Sequence, residues 1–191
     1  MGVVDVQGVQ SSEQVTAAIS EAAAAGDAAA FGQLYDLYLD RVYRYVYYRL
    51  GNRQDAEDVT EQVFLRALQA INRFRCDDSP FIAWLLGIAR NAVIDHVRAR
   101  KSTHPLNEAL VDKGQNGDPG LLADMRCTHE QLRQAILGLK PEYREVIVLR
   151  FVEELDHAQT AASLSRSEGA VRVLQHRALC ALRQALGKEV R

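Results

Sequence analysis

The sequence predicts an all-α protein of two small helical domains joined by a flexible linker, and three observations predict it. Strand signals are almost absent, with no sustained alternation and no Asn-Gly turn between apolar runs. Apolar residues instead recur at helical spacing in segments rich in Ala, Leu, Arg, Glu and Gln. Between two such blocks lies STHPLNEALVDKGQNGDPG, residues 102–120, with two of the four prolines, three glycines and little periodicity.

The elements follow in order. Residues 1–10 are expected to be weakly ordered. Ser12 to Ala25 reads as an Ala-rich helix stopped by Gly26, and Asp27 can cap the next one. Phe31, Leu34, Tyr38, Val42 and Tyr45 then mark one face of a long helix ending near Gly51. Six of the seven tyrosines fall between Tyr35 and Tyr48, and they read as core and surface rather than a base-stacking platform, which needs exposed rings on a basic face. Asp55 opens a further helix, with Asp55, Glu57 and Asp58 where the dipole favours acids. Val59, Val63, Leu65 and Leu68 are expected on its apolar side. Asp77-Asp78-Ser79-Pro80 is a loop with proline at or near a helix start. Phe81, Trp84, Leu85, Ile88, Ala92 and Val97 predict the buried face of a helix running to about Lys101 and ending in a basic cluster. Asp95 is expected to pair with a basic neighbour such as Arg98.

After the linker, helix resumes around Leu121, continues through Leu139 and breaks at Lys140-Pro141. The run from Leu155 to Leu186 reads as a short helix, a tight turn at Ser165-Arg166-Ser167 and a longer helix capped by Ser167. Val171, Leu174, Ala178, Leu182 and Leu186 form its apolar stripe, and Arg172, His176, Arg177 and Arg183 lie off that stripe. This is the layout of a helix-turn-helix whose second helix enters a DNA major groove, or of a helical hairpin with a solvated basic face.

Charge narrows the function. The net charge of −2 hides an uneven spread: residues 31–101 hold eleven basic and nine acidic side chains, and residues 126–191 hold eleven and eight. Residues 102–125 between them hold one basic and four acidic side chains. Two mildly basic blocks flanking an acidic connector suit two nucleic-acid contact surfaces. Cys76, Cys127 and Cys180 are far apart and form no CxxC pair, so neither a disulfide framework nor a zinc site is expected. The five histidines lack metal-ligand spacing, and no glycine-rich phosphate loop follows a strand. No constellation supports an enzyme or calls for a cofactor. No apolar run approaches membrane-spanning length and no signal peptide is evident, so no membrane insertion is expected and the default location is the cytoplasm.

Several segments, taken together and in order, carry a resemblance: Gly26-Asp27 through Phe31-Gly32-Gln33-Leu34-Tyr35, DAEDVTEQVFLRAL at 55–68, FIAWLLGIARNAVIDHVRARK at 81–101, and LKPEYREVIVLRF from 139 into the helix-turn-helix. The chain resembles the bacterial extracytoplasmic-function (group IV) sigma factors over most of residues 26–186. The resemblance implies an N-terminal extension (1–25), a region 2-like domain (26–101), an acidic linker (102–120) and a region 4-like helix-turn-helix domain (121–186). It implies a factor that binds core RNA polymerase, through its beta-prime clamp and beta subunits, and opens promoter DNA to start transcription. It also leaves room for an anti-sigma partner. The alternative is a stand-alone helix-turn-helix regulator, which would need its own sensor or dimerisation domain.

Carried over residue by residue, the resemblance implies polymerase contacts at Asp58, Glu61 and Gln62, with Asp55 and Glu57 beside them. The family more often reads Thr-Gln-Glu where this chain has Thr60-Glu61-Gln62. Helix-dipole complementation alone is the other reading of these acids. The minus-ten element falls to Asn91, which can donate and accept at a base edge, and to Arg90, Arg98, Arg100 and Lys101, which can hold phosphates. Asp77, Asp78 and Ser79 sit where the family captures an extruded base. Trp84 reads as core rather than wedge. The minus-thirty-five element falls to Arg166, Ser167, Glu168, Arg172, Val173, Gln175, His176 and Arg177, with Arg172 and His176 facing the groove. Glu168 either accepts from cytosine or serves the cap. The family often has Gly in the turn and an apolar residue after it, where this chain has Ser165 and Arg166. It also often has Gly before the first helix of the pair, where this chain has Glu154.

Overall fold

The computed structural model describes the backbone of residues 6–76, 79–103 and 123–189, and the side chains of 14–76, 79–100 and 130–187. Every element among them is helical. Helix α1 (Val6–Ala24) begins earlier than expected and takes in half of the segment expected to be weakly ordered. It stops at Gly26, whose φ of 101° suits a residue with no Cβ. Asp27 then caps α2 (Ala28–Leu50), its Oδ1 accepting from the amides of Ala29 at 2.8 Å and Ala30 at 3.1 Å. Gly51 closes α2 in the left-handed conformation, its amide donating to the Tyr47 carbonyl.

Helix α3 (Arg53–Ala70) starts two residues before Asp55 because Asn52 is its cap, accepting from the Asp55 amide at 2.9 Å. A 3₁₀ turn (Ile71–Arg73) leads towards α4 (Phe81–Thr103). Leu34, Val42, Tyr45 and Val46 of α2 meet Val59, Val63 and Ala67 of α3 and Leu85, Leu86 and Ala89 of α4 in the core. Burying each such aliphatic side chain contributes about 1.5–3 kcal/mol. The buried face of α3 is Ala56, Val59, Thr60, Val63, Phe64 and Ala67. Leu65 and Leu68, expected with Val59 and Val63, are 60% and 51% exposed. They stand on the opposite side of the 3.6-residue period. Val97, expected on the buried face of α4, is 39% exposed. Asp95 pairs with Arg66 of α3 at 2.8 Å rather than with Arg98, since the pair closes the α3–α4 seam.

The C-terminal half continues with α5 (Ala123–Leu137), which ends two residues earlier than expected, and α6 (Pro141–Ile147), with proline in the first turn. A π-helical turn (Val148–Val152) follows, in which the Glu153 amide donates to Val148 and that of Leu155 to Leu149. Helices α7 (His157–Leu164) and α8 (Glu168–Glu189) form the hairpin. A reciprocal cap starts α7: Asp156 accepts from the Gln159 amide at 2.7 Å, and Gln159 accepts from the Asp156 amide at 3.1 Å.

The two halves pack on each other. Helix α7 lies against α4, and α5, α6 and the π turn lie against α2. The buried apolar side chains of both halves form one continuous cluster.

Candidate functional site

Three surfaces carry the side chains singled out by sequence. On α3, Asp58, Glu61 and Gln62 are exposed, and Leu65 and Leu68 continue the same stripe one and two turns on. Acids running into uncovered leucines make a strip that is charged at one end and apolar at the other. The two leucines escaped the sequence reading because a helix-spaced leucine resembles core. Glu57 is exposed and held by Arg53 at 2.8 Å. Asp55 turns away from this strip, towards α4. It pairs there with Arg100 and lies 3.5 Å from the His96 ring. One expected polymerase contact and one expected DNA contact are thus brought together as an ion pair.

On α4, Asn91, Arg98 and Arg100 are exposed, while Ser79 is half-buried at the helix approach. Asp77 and Asp78 lie outside the described residues, as does the side chain of Lys101. Trp84 is half-buried, its ring centroid 5.2 Å from that of Phe74 and 5.4 Å from that of Phe81. It is part of an aromatic cluster at one edge and open at the other. Arg90 points at the C-terminal half, 3.0 Å from the carboxylate of Glu145. A groove of about 290 Å³ runs between Ser79, Trp84, Gly87, Arg90 and Asn91 on one side and Ala162, Ser163 and Ser165 on the other. The Ser163 hydroxyl donates to the Ala83 carbonyl at 2.9 Å and is buried.

On α8, the Ser167 hydroxyl accepts from the Ala170 amide at 3.3 Å, which is the expected cap. Val171, Leu174 and Ala178 are buried against the rest of the half. That fixes the rotation of the helix and leaves Arg172, Val173, His176 and Arg177 exposed, with Arg166, Ser167 and Glu168 at its start. Arg172 pairs with Glu168 at 3.2 Å across one turn. Gln175 is half-buried, its amide oxygen accepting from Arg150 Nε at 3.0 Å, so it serves the interior.

Electrostatics tie the halves together beneath these surfaces. The Glu145 carboxylate lies 3.3 Å from Arg49, 3.0 Å from Arg90 and 3.3 Å from the Tyr45 hydroxyl. Burial pushes the Tyr45 phenol well above its ordinary range. The Arg144 guanidinium donates to the carbonyls of Ile136, Leu137 and Leu139 and, at 2.8 Å, to that of Arg49 in the other half. Burial, with the Arg49 charge beside it, lowers its pKa to about 10.

Among the described residues no group of three or more His, Cys, Asp or Glu side chains is gathered as a metal site, and no helix is long and apolar enough to cross a membrane.

Comparison with known proteins matches residues 34–103 to Sigma-70 region 2 and residues 129–182 to Sigma-70, region 4. The chain is 38% identical over 175 residues to the ECF RNA polymerase sigma factor BldN of Streptomyces coelicolor, covering 90% of this chain and 66% of that protein. It is 34% identical over 171 residues to the ECF RNA polymerase sigma factor SigW of Bacillus subtilis, covering 84% of this chain and 91% of SigW. Among solved structures, CnrH in complex with the cytosolic domain of CnrY superposes with a TM-score of 0.69 at 25% identity, over 91% of this chain and 97% of that one.

Proposed function

The chain belongs to the extracytoplasmic-function sigma factors, and from that premise we propose that it binds core RNA polymerase, recognises promoter DNA and helps open it to start transcription. The observation that carries this reading is the facing of α8. Its apolar stripe is buried, so Arg172, Val173, His176 and Arg177 point outward together at the end of a capped turn. A stand-alone regulator would present the same helix, but it would have no use for the second matched region with its uncovered acidic strip on α3.

The roles divide by surface. Asp58, Glu61 and Gln62 dock on a basic groove of the polymerase clamp, where complementary charge speeds encounter, and Leu65 and Leu68 supply the apolar part of that contact. Glu57 contributes at the edge, and Asp55 acts by positioning Arg100. Asn91 reads a minus-ten base edge, Arg90, Arg98, Arg100 and Lys101 hold phosphates, and the 77–79 loop receives an extruded base. Arg172 and His176 read the minus-thirty-five element, with Arg166, Ser167, Glu168, Val173 and Arg177 around them. The protein works in the cytoplasm without a cofactor. The resemblance to CnrH, solved with CnrY, and to RpoE of Bartonella quintana, solved with the anti-sigma factor NepR, supports an anti-sigma partner for this chain as well.

The test is reconstitution. The purified chain mixed with core polymerase should co-elute with it and direct run-off transcripts from a subset of genomic fragments. Binding to those fragments without any association with core would instead establish the stand-alone regulator.

A further inference from the structure

Helix α8 is oriented by two kinds of contact. Its buried residues Val171, Leu174 and Ala178 form the side on which α6 and α7 pack. Apolar burial follows area and has no direction, so it decides which side of the helix is inside but sets the rotation only coarsely. A helix with its side chains is about 10–12 Å across, so turning it by ~20° carries a side-chain tip about 2 Å. A hydrogen bond to a base edge spans only about 2.7–3.2 Å between heavy atoms. Base reading by Arg172 and His176 therefore needs a directional constraint on α8 that the apolar stripe does not supply.

Arg150 supplies one. Half-buried in the π turn, it donates from Nε to Oε1 of Gln175 at 3.0 Å and from Nη1 to the Leu155 carbonyl. Leu155 is buried and stands immediately before Asp156, the cap of α7. Gln175 closes the second turn of α8, next to His176. The donors of a guanidinium sit at fixed angles on one plane. One rigid fork thus ties the entry of α7 to the turn of α8 that carries Arg172.

We propose that Arg150, acting through Gln175, is a positioning residue for minus-thirty-five recognition: it sets the rotation of α8 and with it the register of Arg172 and His176 against the base edges. This rests on the reading of α8 as the recognition helix. Without the bond α8 turns on its apolar stripe, and both readers move together. That outcome separates a positioning residue from a reader, whose loss affects the base it contacts. It also separates it from a residue that only stabilises the fold, whose loss lowers transcription from every promoter alike.

The experiment uses the full chain assembled with core polymerase and promoters varied base by base across the minus-thirty-five element. Preference at each position is the ratio of transcription from the best base to that from the others, so a change in strength alone cancels. R172A and H176A mark the positions that the two readers serve. The test variants are R150Q, Q175L, Q175E and R150Q/Q175L, each also measured for helicity by circular dichroism and for affinity to core. In R150Q and Q175L preference should fall at least threefold at both marked positions, with helicity and core affinity retained. The double variant should lose no more than the worse single one, because both changes remove the same bond. Q175E should keep the wild-type preferences, since its carboxylate accepts from the same Nε. Should R150Q fail to fold, Q175L and Q175E decide, as Gln175 is only half-buried. Intact preferences in folded Q175L overturn the proposal, whether or not R150Q loses them, since the effect of Arg150 would then run through the Leu155 carbonyl. A loss in Q175L that Q175E shares overturns it too, and makes Gln175 a reader. Wild type without any minus-thirty-five preference would refute the recognition-helix reading itself.

Discussion

Glu154 and Ser165 stand at the two ends of α7, and they are the described non-glycine residues with positive φ, at 55° and 52°. Both occupy positions where the family often carries glycine. A Cβ in the left-handed region costs about 1–2 kcal/mol, partly offset because glycine gives the unfolded chain more freedom. Glu154→Gly and Ser165→Gly should each stabilise by about 0.5–1 kcal/mol, raising Tm by about 1–4 °C. Differential scanning calorimetry checks this. A fall in Tm for both would mean that side-chain contacts outweigh the backbone strain.

The outward strip of α3 predicts a loss of polymerase binding without a loss of fold. Asp58 and Glu61 are exposed and make none of the ion pairs that hold α3 to α4. Changing both to Lys removes favourable dipole interactions of about 0.3–1 kcal/mol each at most. Affinity for core polymerase should drop at least tenfold in a chain that melts within a few degrees of wild type. Leu65→Ser should weaken the same contact and leave stability unchanged, because the side chain is 60% exposed. Full affinity in both variants would move the docking surface off this strip.

Arg144 joins the end of α5, the turn after it and the C-terminus of α2 through one guanidinium. Arg144→Leu keeps the aliphatic volume and leaves those carbonyls without their donor. Losing a charged hydrogen bond costs about 1.5–3 kcal/mol, and stranded buried acceptors add to it. Stability should fall by about 3–5 kcal/mol, read as a lower urea midpoint. A loss under 1 kcal/mol would show that water replaces the guanidinium.

Local signals were the legible ones. Asp27, Gly51 and Ser167 mark helix ends by chemistry that acts within four residues, and all three sit where that chemistry places them. The Asp156–Gln159 cap carried the same kind of signal in D-x-x-Q and went unread. The stripes on α2 and α8 were legible because each helix buries a single face. On α3 the apolar residues spread over more than half the circumference, so periodicity alone could not separate Val63 from Leu65. Nothing in the sequence foretold Glu153 against Arg41 and Arg44, or Arg90 against Glu145. Those pairs join residues 109 and 112 positions apart in one case and depend on a π turn that has no spacing signature. Gln175 lies off the apolar stripe by spacing, yet it is half-buried because Arg150 donates to its amide oxygen.

The phosphate contacts and the base reader on α4 should differ in kind. Arg98→Ala with Lys101→Ala should weaken promoter engagement on every sequence and flatten its salt dependence, by about one unit of logarithmic slope per lost contact. Asn91→Ala should relax preference at one or two minus-ten positions and keep the salt slope. Binding of a minus-ten variant library at several salt concentrations measures both. An equal loss across the library for Asn91→Ala would reassign that residue to structure.

Arg172 is the sharpest test of the recognition helix. It sits one turn after the Ser167 cap, on the face opposite buried Val171 and Leu174, with His176 one turn further on the same side. Its pair with Glu168 is exposed, and such pairs contribute about 0.3–0.5 kcal/mol, so Arg172→Ala should fold and bind polymerase as wild type does. A guanidinium reading a base edge contributes about 1–3 kcal/mol of discrimination, or roughly 5- to 150-fold between the right base and a wrong one. Transcription from promoters varied base by base across the minus-thirty-five element should therefore lose its preference at one position in Arg172→Ala while the other positions keep theirs. Glu168→Gln separates the two partners. If Glu168 only orients the arginine, its loss should blunt the same position, whereas a direct contact with cytosine would blunt a neighbouring one. A uniform drop at every position, with preferences intact, would make Arg172 a phosphate contact and require the groove-facing side of α8 to be turned towards Val173 and Arg177.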